Sequence, residues 1–171
     1  MDPSQGEKTK DLIPKAKGFL KNHFSILEEL VELRAEWAEK ELAELAVEES
    51  AEKKLANLYR EDAMMTFDGE NIQGKEAICA KFCSLKLSRI QVLNIECLPV
   101  SGTDLSSGFY GMGCGYIWLD GKQDARLFSQ TFSLHPTPEG SFAISNSIFI
   151  HIGMESCGAG TALGSLTRPF P

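Results

Sequence analysis

Histidine and tyrosine side chains are the groups in this chain that could carry out acid–base chemistry. Tyr110, Tyr116, His135 and His151 all lie in segments whose apolar residues alternate as in a β-strand. Proton transfer requires an acid or a base within hydrogen-bonding reach of one reacting atom. His135 directly precedes a proline turn and His151 ends the last predicted strand, so we expect both near the rims of the fold. No spacing brings these residues together, and we predict a protein that is not an enzyme.

The cysteines could bind a metal or form disulfides, but their spacing favours neither. Their number, five, is odd, and no pair follows the CxxC pattern, as expected for free thiols in a reducing compartment. Cys79 and Cys83 are four residues apart and could share one helix face, as two metal ligands would. The sequence offers no histidine-rich or cysteine-rich set to complete such a site. We therefore predict core or half-exposed thiols, with no metal and no cofactor.

The acidic side chains are concentrated in one segment. The formal net charge of the chain is −7. Between Glu28 and Glu52, ten glutamates stand against only Arg34 and Lys40, whereas the rest of the chain carries fifteen Lys/Arg and fourteen Asp/Glu. Binding to a nucleic-acid backbone leaves a basic stripe as its footprint in the sequence. We see no such stripe and expect no nucleic-acid partner.

Length and composition predict one soluble domain that must position these residues. The chain has 171 residues, of which 43% are hydrophobic and 24% charged. We expect a flexible N-terminus over residues 1–13, a folded domain over 14–152 and a flexible Gly/Ser-rich tail over 153–171. No apolar run reaches the ~18 residues of a membrane span, and the first residues lack the apolar region of a secretory signal. We therefore expect no membrane insertion and a cytosolic location.

The first part of the domain predicts helices. From Ala16 onward, apolar residues recur at spacings of three and four, which indicates a helix with one buried stripe (Phe19, Leu20, Phe24, Leu27, Leu30 and Val31). Residues 28–52 are rich in Ala, Glu and Leu and contain no Gly or Pro, which favours further helix. This segment predicts a solvated helical extension or a helical hairpin. Alternatively, it is a partner-binding or self-associating helix anchored by Trp37.

The middle of the chain predicts a strand, a tight turn and a short helix. Residues 64–67 suit a strand, because sulfur, β-branched and aromatic side chains pack well on a pleated surface. Asp68-Gly69 is a tight-turn dipeptide, and Ile72 lies on the returning segment. Gly74 ends the turn, and a short amphipathic helix begins at Lys75.

The remainder of the domain predicts long strands. Alternation with a period of two indicates four of them, over residues 88–98, 107–119, 124–135 and 142–152. In the second strand, Gly111, Gly113 and Gly115 leave one face bare, so the strand can bend sharply or admit a close neighbour. Helices followed by an antiparallel meander indicate an α+β fold.

Several of these segments together resemble the nuclear transport factor 2 family. The resemblance rests on short motifs and on two downstream strand segments: Leu55–Tyr59, Thr66–Gly69, Ile72–Lys75 with Ile78, Phe128–Phe132 and Asn146–Phe149. It covers roughly residues 18–152 and is interrupted by the Glu-rich segment 28–52, which the family lacks. The resemblance implies a cone-shaped, strongly curved antiparallel sheet wrapped by N-terminal helices, as in a cystatin-like roll. It also implies an apolar cavity and a homodimer that pairs through the sheets.

The resemblance also implies a function and its residues. Members of the family import the GDP form of the small GTPase Ran and bind FxFG repeats of nucleoporins on the way. The GTPase inserts an aromatic side chain into the cavity, and acidic residues at its mouth bind basic residues of the GTPase. By position, Asp68, Asp120 and Asp124 are expected to bind Ran, and Phe67, as an exposed ring, to bind nucleoporins. Alternatively, Phe67 is a core residue and the 120–124 turn is only a solvated turn. The 120–124 turn is about one residue shorter than in the family, and Lys122 lies between its two aspartates.

The expected location is therefore the cytoplasm and the nucleus, with enrichment at the nuclear pore. Two alternatives accompany this interpretation. Related domains pair as heterodimers with an mRNA export receptor, and the long acidic insertion could serve such pairing. The same cone fold also hosts cavity enzymes of the isomerase and dehydratase type, which is the less favoured alternative.

Overall fold

The computed structural model of the protein describes residues 3–37, 45–101, 107–120 and 122–153. For residues 3–10, 35–37 and 45–49 it describes the backbone without the side chains. The predicted tail from residue 154, the side chain of Trp37 and the middle of the predicted insertion lie outside this description. Within it, three helices and six strands follow in the order α1 Pro3–Trp37, α2 Leu45–Ala56, β1 Tyr59–Phe67, β2 Glu70–Gln73, α3 Lys75–Ser84, β3 Leu87–Pro99, β4 Phe109–Leu119, β5 Arg126–Pro136 and β6 Phe142–Gly153.

The strands form one sheet in the order β2-β1-β6-β5-β4-β3. The predicted strands after α3 are confirmed to within a few residues at each end. Neighbouring strands are antiparallel except β1 and β6, which run parallel. The α+β class is thus confirmed, but the expectation of a purely antiparallel sheet is corrected to a mixed sheet. The β1–β2 hairpin docks onto the end of the meander through β1, and this register places Phe67 opposite Phe149, whose rings stack.

Helix α1 packs across the inner face of the sheet, where the alternating glycines of β4 lie. A β-carbon at Gly111 would come within 2.4 Å of Leu20, and one at Gly113 within 2.4 Å of the Phe24 ring. Real β-carbons cannot approach so closely, so the helix can lie here only because this face is bare. The prediction that the bare face admits a close neighbour is confirmed, and the neighbour is α1.

Helix α1 begins earlier than the sequence predicts. Residues 3–13, expected as a flexible terminus, are helical, and Pro14 lies inside α1. A proline removes one backbone hydrogen bond from a helix. The buried stripe that follows, with Ala16 and Leu20 fully enclosed, holds the helix on the sheet beyond that point.

The insertion forms part of two helices that run in opposite directions. Residues 28–37 extend α1, and residues 45–52 open α2, which returns along α1 so that Lys54 Nζ lies 3.4 Å from Glu29 Oε1. Leu30, Val31 and Ala51 are buried in the core. The two opposed helices correspond to the predicted helical hairpin rather than to a solvated extension, and Leu30 and Val31 are buried as the 3–4 spacing of α1 predicts.

Candidate functional site

The candidate site lies at one end of the sheet, which we call the mouth. There β1 and β4 end while β3 and β5 begin, because Phe67 pairs with Phe149, Phe128 with His151 and Leu87 with Leu119. The topology therefore brings Asp68, the 120–124 turn and the C-terminal end of α3 to the same end of the fold. The sequence predicted that these acidic residues share one rim, and the strand register supports that placement.

Asp68, His151 and Arg126 form a hydrogen-bonded chain across three strands at the mouth. His151 Nε2 lies 2.7 Å from Asp68 Oδ2, and Arg126 Nε donates to His151 Nδ1 over 2.8 Å. Because Nδ1 accepts a hydrogen bond, the neutral ring carries its proton on Nε2. Burial lowers the pKa of His151, an effect that the Asp68 carboxylate opposes and the Arg126 guanidinium reinforces. Both ring nitrogens of His151 are engaged in these contacts, so the neutral ring has no free lone pair that could accept a proton from a substrate.

The carboxylate of Asp68 also fixes the turn after β1. Its second oxygen, Oδ1, accepts the backbone N–H of His151 over 3.1 Å, and Asp68 itself has a left-handed φ of 46°. Aspartate tolerates this conformation better than most residues. The carboxylate is 38% exposed, so part of it still faces solvent. Asp68 and His151 are 83 positions apart in the chain, and no pattern in the sequence indicates that they form a hydrogen bond.

Asp120 and Asp124 both lie exposed on the β4–β5 turn. The backbone N–H of Asp120 donates to the carbonyl of Lys86 over 2.9 Å, which ties the turn to the residue before β3. Lys122 is exposed on the same turn, and Arg126 begins the next strand. The mouth therefore carries charges of both signs, as the position of Lys122 between the two aspartates in the sequence indicated.

Phe67 faces the interior. Its side chain is 4% exposed, its ring stacks on Phe149 at 4.7 Å, and Lys81 Nζ lies 5.2 Å from its centroid. The expectation of an exposed ring beside the turn is therefore wrong. The alternation of β1 assigns Met65 and Phe67 to the core face and Thr66 to the other. A role of Phe67 in nucleoporin binding stays a prediction.

The cone is filled by its own side chains in the part of the chain that the structure describes. Aromatic rings occupy its interior (Phe24, Phe67, Phe82, Phe128, Phe132 and Phe149). At the mouth they leave a pocket of about 10 Å³, lined by Leu27, Leu30, Val31, Arg34, Phe82, Cys83 and Leu87. A cavity that holds a benzene ring measures about 150 Å³. Among the described residues the expected open cavity is therefore corrected to a closed one, because Leu27, Leu30 and Val31 of α1 cover the mouth.

A buried polar cluster crosses this interior. His23 Nε2 and the Tyr59 hydroxyl are 2.7 Å apart, and the Gln130 amide donates to the Tyr59 hydroxyl and to Ser147 over 3.4 and 2.9 Å. Burial lowers the pKa of His23 to about 3 and raises that of Tyr59. The groups are thus held neutral, and the pocket at the mouth does not border them.

The acid–base candidates from the sequence do not converge. Tyr110 and Tyr116 alternate with the inward glycines of β4 and so lie on the outer face of the sheet. His135 lies at the end of the sheet opposite the mouth, where its Nε2 is 2.8 Å from the Ser145 hydroxyl. Tyr116 and His151 both lie near the mouth end of the sheet, but on opposite faces, so the described members of this set do not share one site.

Cys79 and Cys83 lie on one side of α3 and hydrogen-bond to Glu52. The Cys83 thiol donates to Glu52 Oε1 over 3.0 Å, and the Cys79 thiol to the Glu52 carbonyl over 3.3 Å. The pKa of Cys83 is raised by its hydrogen bond to Cys79, by burial and by the Glu52 carboxylate, so the Cys83 thiol stays protonated. The four cysteines within the described ranges are free thiols, as predicted. Those ranges contain no group of three or more metal-ligating side chains placed to hold an ion.

The outer face of the sheet carries exposed apolar side chains in cross-strand rows. One row runs through Leu98, Tyr110 and Ser133, and the next through Met112, Thr131 and Ile148. A groove of about 610 Å³ lies along these rows. None of the helices in the described residues is long and apolar enough to cross a bilayer.

Comparison with known proteins identifies the family. The nuclear transport factor 2 (NTF2) domain matches residues 45–151 of this chain. The chain belongs to the nuclear transport factor 2 family. Nuclear transport factor 2B of Arabidopsis thaliana is 42% identical over 97 residues, which cover 56% of this chain and 75% of that protein. Nuclear transport factor 2 of Schizosaccharomyces pombe is 34% identical over 101 residues, covering 59% of this chain and 80% of that protein.

A solved structure with low sequence identity shares the fold of this chain. The structure of a Sac3N peptide bound to Mex67:Mtr2 matches 80% of this chain and 97% of its own at a TM-score of 0.54 and 13% identity. At that identity the likeness shows the fold alone. The nuclear transport factor 2 resemblance inferred from the motifs is confirmed, and the related proteins named above are transport factors rather than enzymes.

Proposed function

We propose that this protein is a non-catalytic carrier of nuclear transport that works as a homodimer joined through the outer face of its sheet. The observation that carries the proposal is that face, on a chain whose relatives are named nuclear transport factors. Tyr110 and Ile148 are 56% and 51% exposed there, and further apolar residues extend the patch (Met112, Leu127, Ile150 and Ile152). Contiguous apolar surface of this kind favours a protein–protein interface. A second copy supplies the same surface about a two-fold axis.

Light scattering on the purified chain tests this pairing. We expect the mass of a dimer, and we expect Ile148→Lys to weaken the dimer at least tenfold by burying an unpaired charge. Leu93→Lys is the matched control, since Leu93 is 56% exposed but lies at the bulge of β3 beside α1. A monomeric wild-type chain would contradict the proposal and favour the heterodimer alternative.

The cargo that we propose is Ran-GDP, bound at the mouth. Asp120 and Asp124 present exposed carboxylates there, and Asp68 keeps part of its carboxylate in solvent while it holds the rim through His151. Opposite charges across an interface direct the approach of a basic partner. Calorimetric titration of GDP-loaded Ran should give binding by the wild-type chain and none by Asp68→Lys. Retained binding by Asp68→Lys would contradict the assignment of this residue.

We further propose that the carrier contacts FxFG nucleoporin repeats and concentrates at the nuclear pore. Each repeat must bind weakly so that the carrier can move on. A dimer offers at least two equivalent sites and thereby raises the effective concentration of the second contact. The Ile148→Lys monomer should lose its enrichment at the nuclear rim while Leu93→Lys keeps it. An unchanged rim signal from the monomer would reject this dependence on two sites.

A further inference from the structure

The mouth of the cone is closed by residues that lie in, or next to, the insertion. Leu27, Leu30 and Val31 of α1 are buried over the mouth and pack with Phe82 of α3. Only about 10 Å³ remains between them, against the roughly 150 Å³ in which a benzene ring fits. An aromatic side chain cannot enter unless this part of α1 moves.

Polar contacts hold the covering helices in place. Arg34 Nη1 of α1 donates to the carbonyl of Cys83, in the last turn of α3. Carbonyls at the C-terminal end of a helix carry partial negative charge, so a guanidinium is held there favourably. The Cys83 thiol in turn donates to Glu52 of α2 over 3.0 Å. The extended end of α1 and the second half of α2 are thus both fastened to the end of one short helix.

The polar contacts and the packing beneath them involve different side chains. Under the mouth, Phe82 packs on Phe149 and Phe149 on Phe128, so these rings keep one another as partners when α1 moves. Arg34 and Cys83 are only partly buried. A change confined to them removes the polar fastening, and the remaining cost of opening is the burial of Leu27, Leu30 and Val31.

We infer that residues 27–34 of α1 together with Glu52 of α2, here called the lid, form an autoinhibitory cover over the partner-binding pocket. The inference rests on the proposed function, in which Ran-GDP binds at the mouth, and on the expectation from the family resemblance that this partner inserts an aromatic side chain there. The partner then binds only the fraction of molecules whose lid is open. Its apparent dissociation constant is the intrinsic one divided by that fraction. Loosening the lid tightens binding without any new contact to the partner.

Fluorobenzene, followed by fluorine NMR, probes the pocket independently of Ran. We expect no saturable binding to the wild-type chain and saturable binding to Arg34→Ala and to Glu52→Ala, each of which removes one side of the fastening. Arg60→Ala is the matched control, because Arg60 lies exposed near Asp62 and away from the lid. It should behave as the wild type. Thermal unfolding of each variant establishes that the fold is retained.

Titration of GDP-loaded Ran into the same proteins separates the lid from its proposed partner. Arg34→Ala should bind Ran at least tenfold more tightly than the wild type does. A tenfold change in the dissociation constant corresponds to about 1.4 kcal/mol of binding free energy. Fluorobenzene binding by the lid variants without Ran binding by any protein would support the lid and reject Ran as partner. If neither folded variant takes up fluorobenzene, the lid is overturned whatever Ran does. Loss of folding in both variants would also overturn it, since a releasable lid leaves the core intact.

Discussion

Acid should destabilise this fold through His23, which is enclosed in the interior of the cone. Burial lowers the pKa of His23 to about 3, whereas its ordinary value is 6.5. The folded-state pKa is thus below the unfolded one, and the unfolded chain binds more protons as the pH falls. The contribution of His23 to stability is therefore complete above pH 6.5. It is lost progressively between pH 6.5 and pH 3.

The size of the effect follows from these two values. Between them, one such group lowers the free energy of unfolding by about 1.4 kcal/mol for each pH unit. From pH 7 to pH 5 the loss amounts to about 2 kcal/mol, a large part of the ~5–15 kcal/mol that stabilises a typical domain. His151, whose pKa burial also lowers, acts in the same direction. The share of His23 is therefore the difference between two losses of unfolding free energy from pH 7 to pH 5, that of the wild type and that of a variant without this histidine.

Urea denaturation at pH 7 and pH 5 measures this share. His23→Gln keeps a polar group near the Tyr59 hydroxyl but cannot titrate, so its fall in unfolding free energy should be about 2 kcal/mol smaller than that of the wild type. His135→Gln, at the opposite end of the sheet from the mouth, retains His23 and should keep the wild-type fall. Equal falls for the wild type and His23→Gln would refute the reasoning, because His23 would then titrate alike in both states.

Two further predictions follow from contacts between α1 and the sheet and from the chain of hydrogen bonds at the mouth. Gly113→Ala would push its β-carbon into the Phe24 ring and should lower the free energy of unfolding by about 1–3 kcal/mol. Gly18→Ala, on an open side of α1, should raise it by up to about 1 kcal/mol; equal effects in urea denaturation would contradict the close packing of α1. Arg126→Met removes a cation and a donor that favour the neutral His151 ring, so the pKa of His151 should rise in an NMR titration. A pKa that stays the same or falls would show that Arg126 does not bond to this ring.

The positions of the strands along the chain were predictable, because each strand depends on a local pattern of residues. Alternating apolar residues located β3 to β6 within a few positions, and Asp68-Gly69 marked the hairpin turn. The alternating glycines of β4 also predicted a close neighbour on one face. The sequence did not indicate that β1 would pair in parallel with β6, because either edge of the hairpin could dock on the meander.

The candidate site was predictable only in part. Positional resemblance placed Asp68 and the 120–124 turn at one end of the fold, and the strand register supports that placement. For Phe67 the sequence left an exposed ring and a core residue open, and the structure has the core residue, in agreement with the alternation of β1. The contacts of Asp68 with His151 gave no signal at all, since they join residues 83 positions apart.

By itself, the sequence determined the α+β class, the family and the helical character of the insertion, because hydrophobic spacing, turn residues and short motifs are properties of neighbouring residues. The 3–4 spacing also predicted that Leu30 and Val31 are buried, but only the tertiary structure decided that they cover the mouth. The crossing of α1 over the sheet fixes that outcome. The bare glycine face of β4 indicated a close neighbour, but which element occupies that face depends on packing between segments that are distant in the chain.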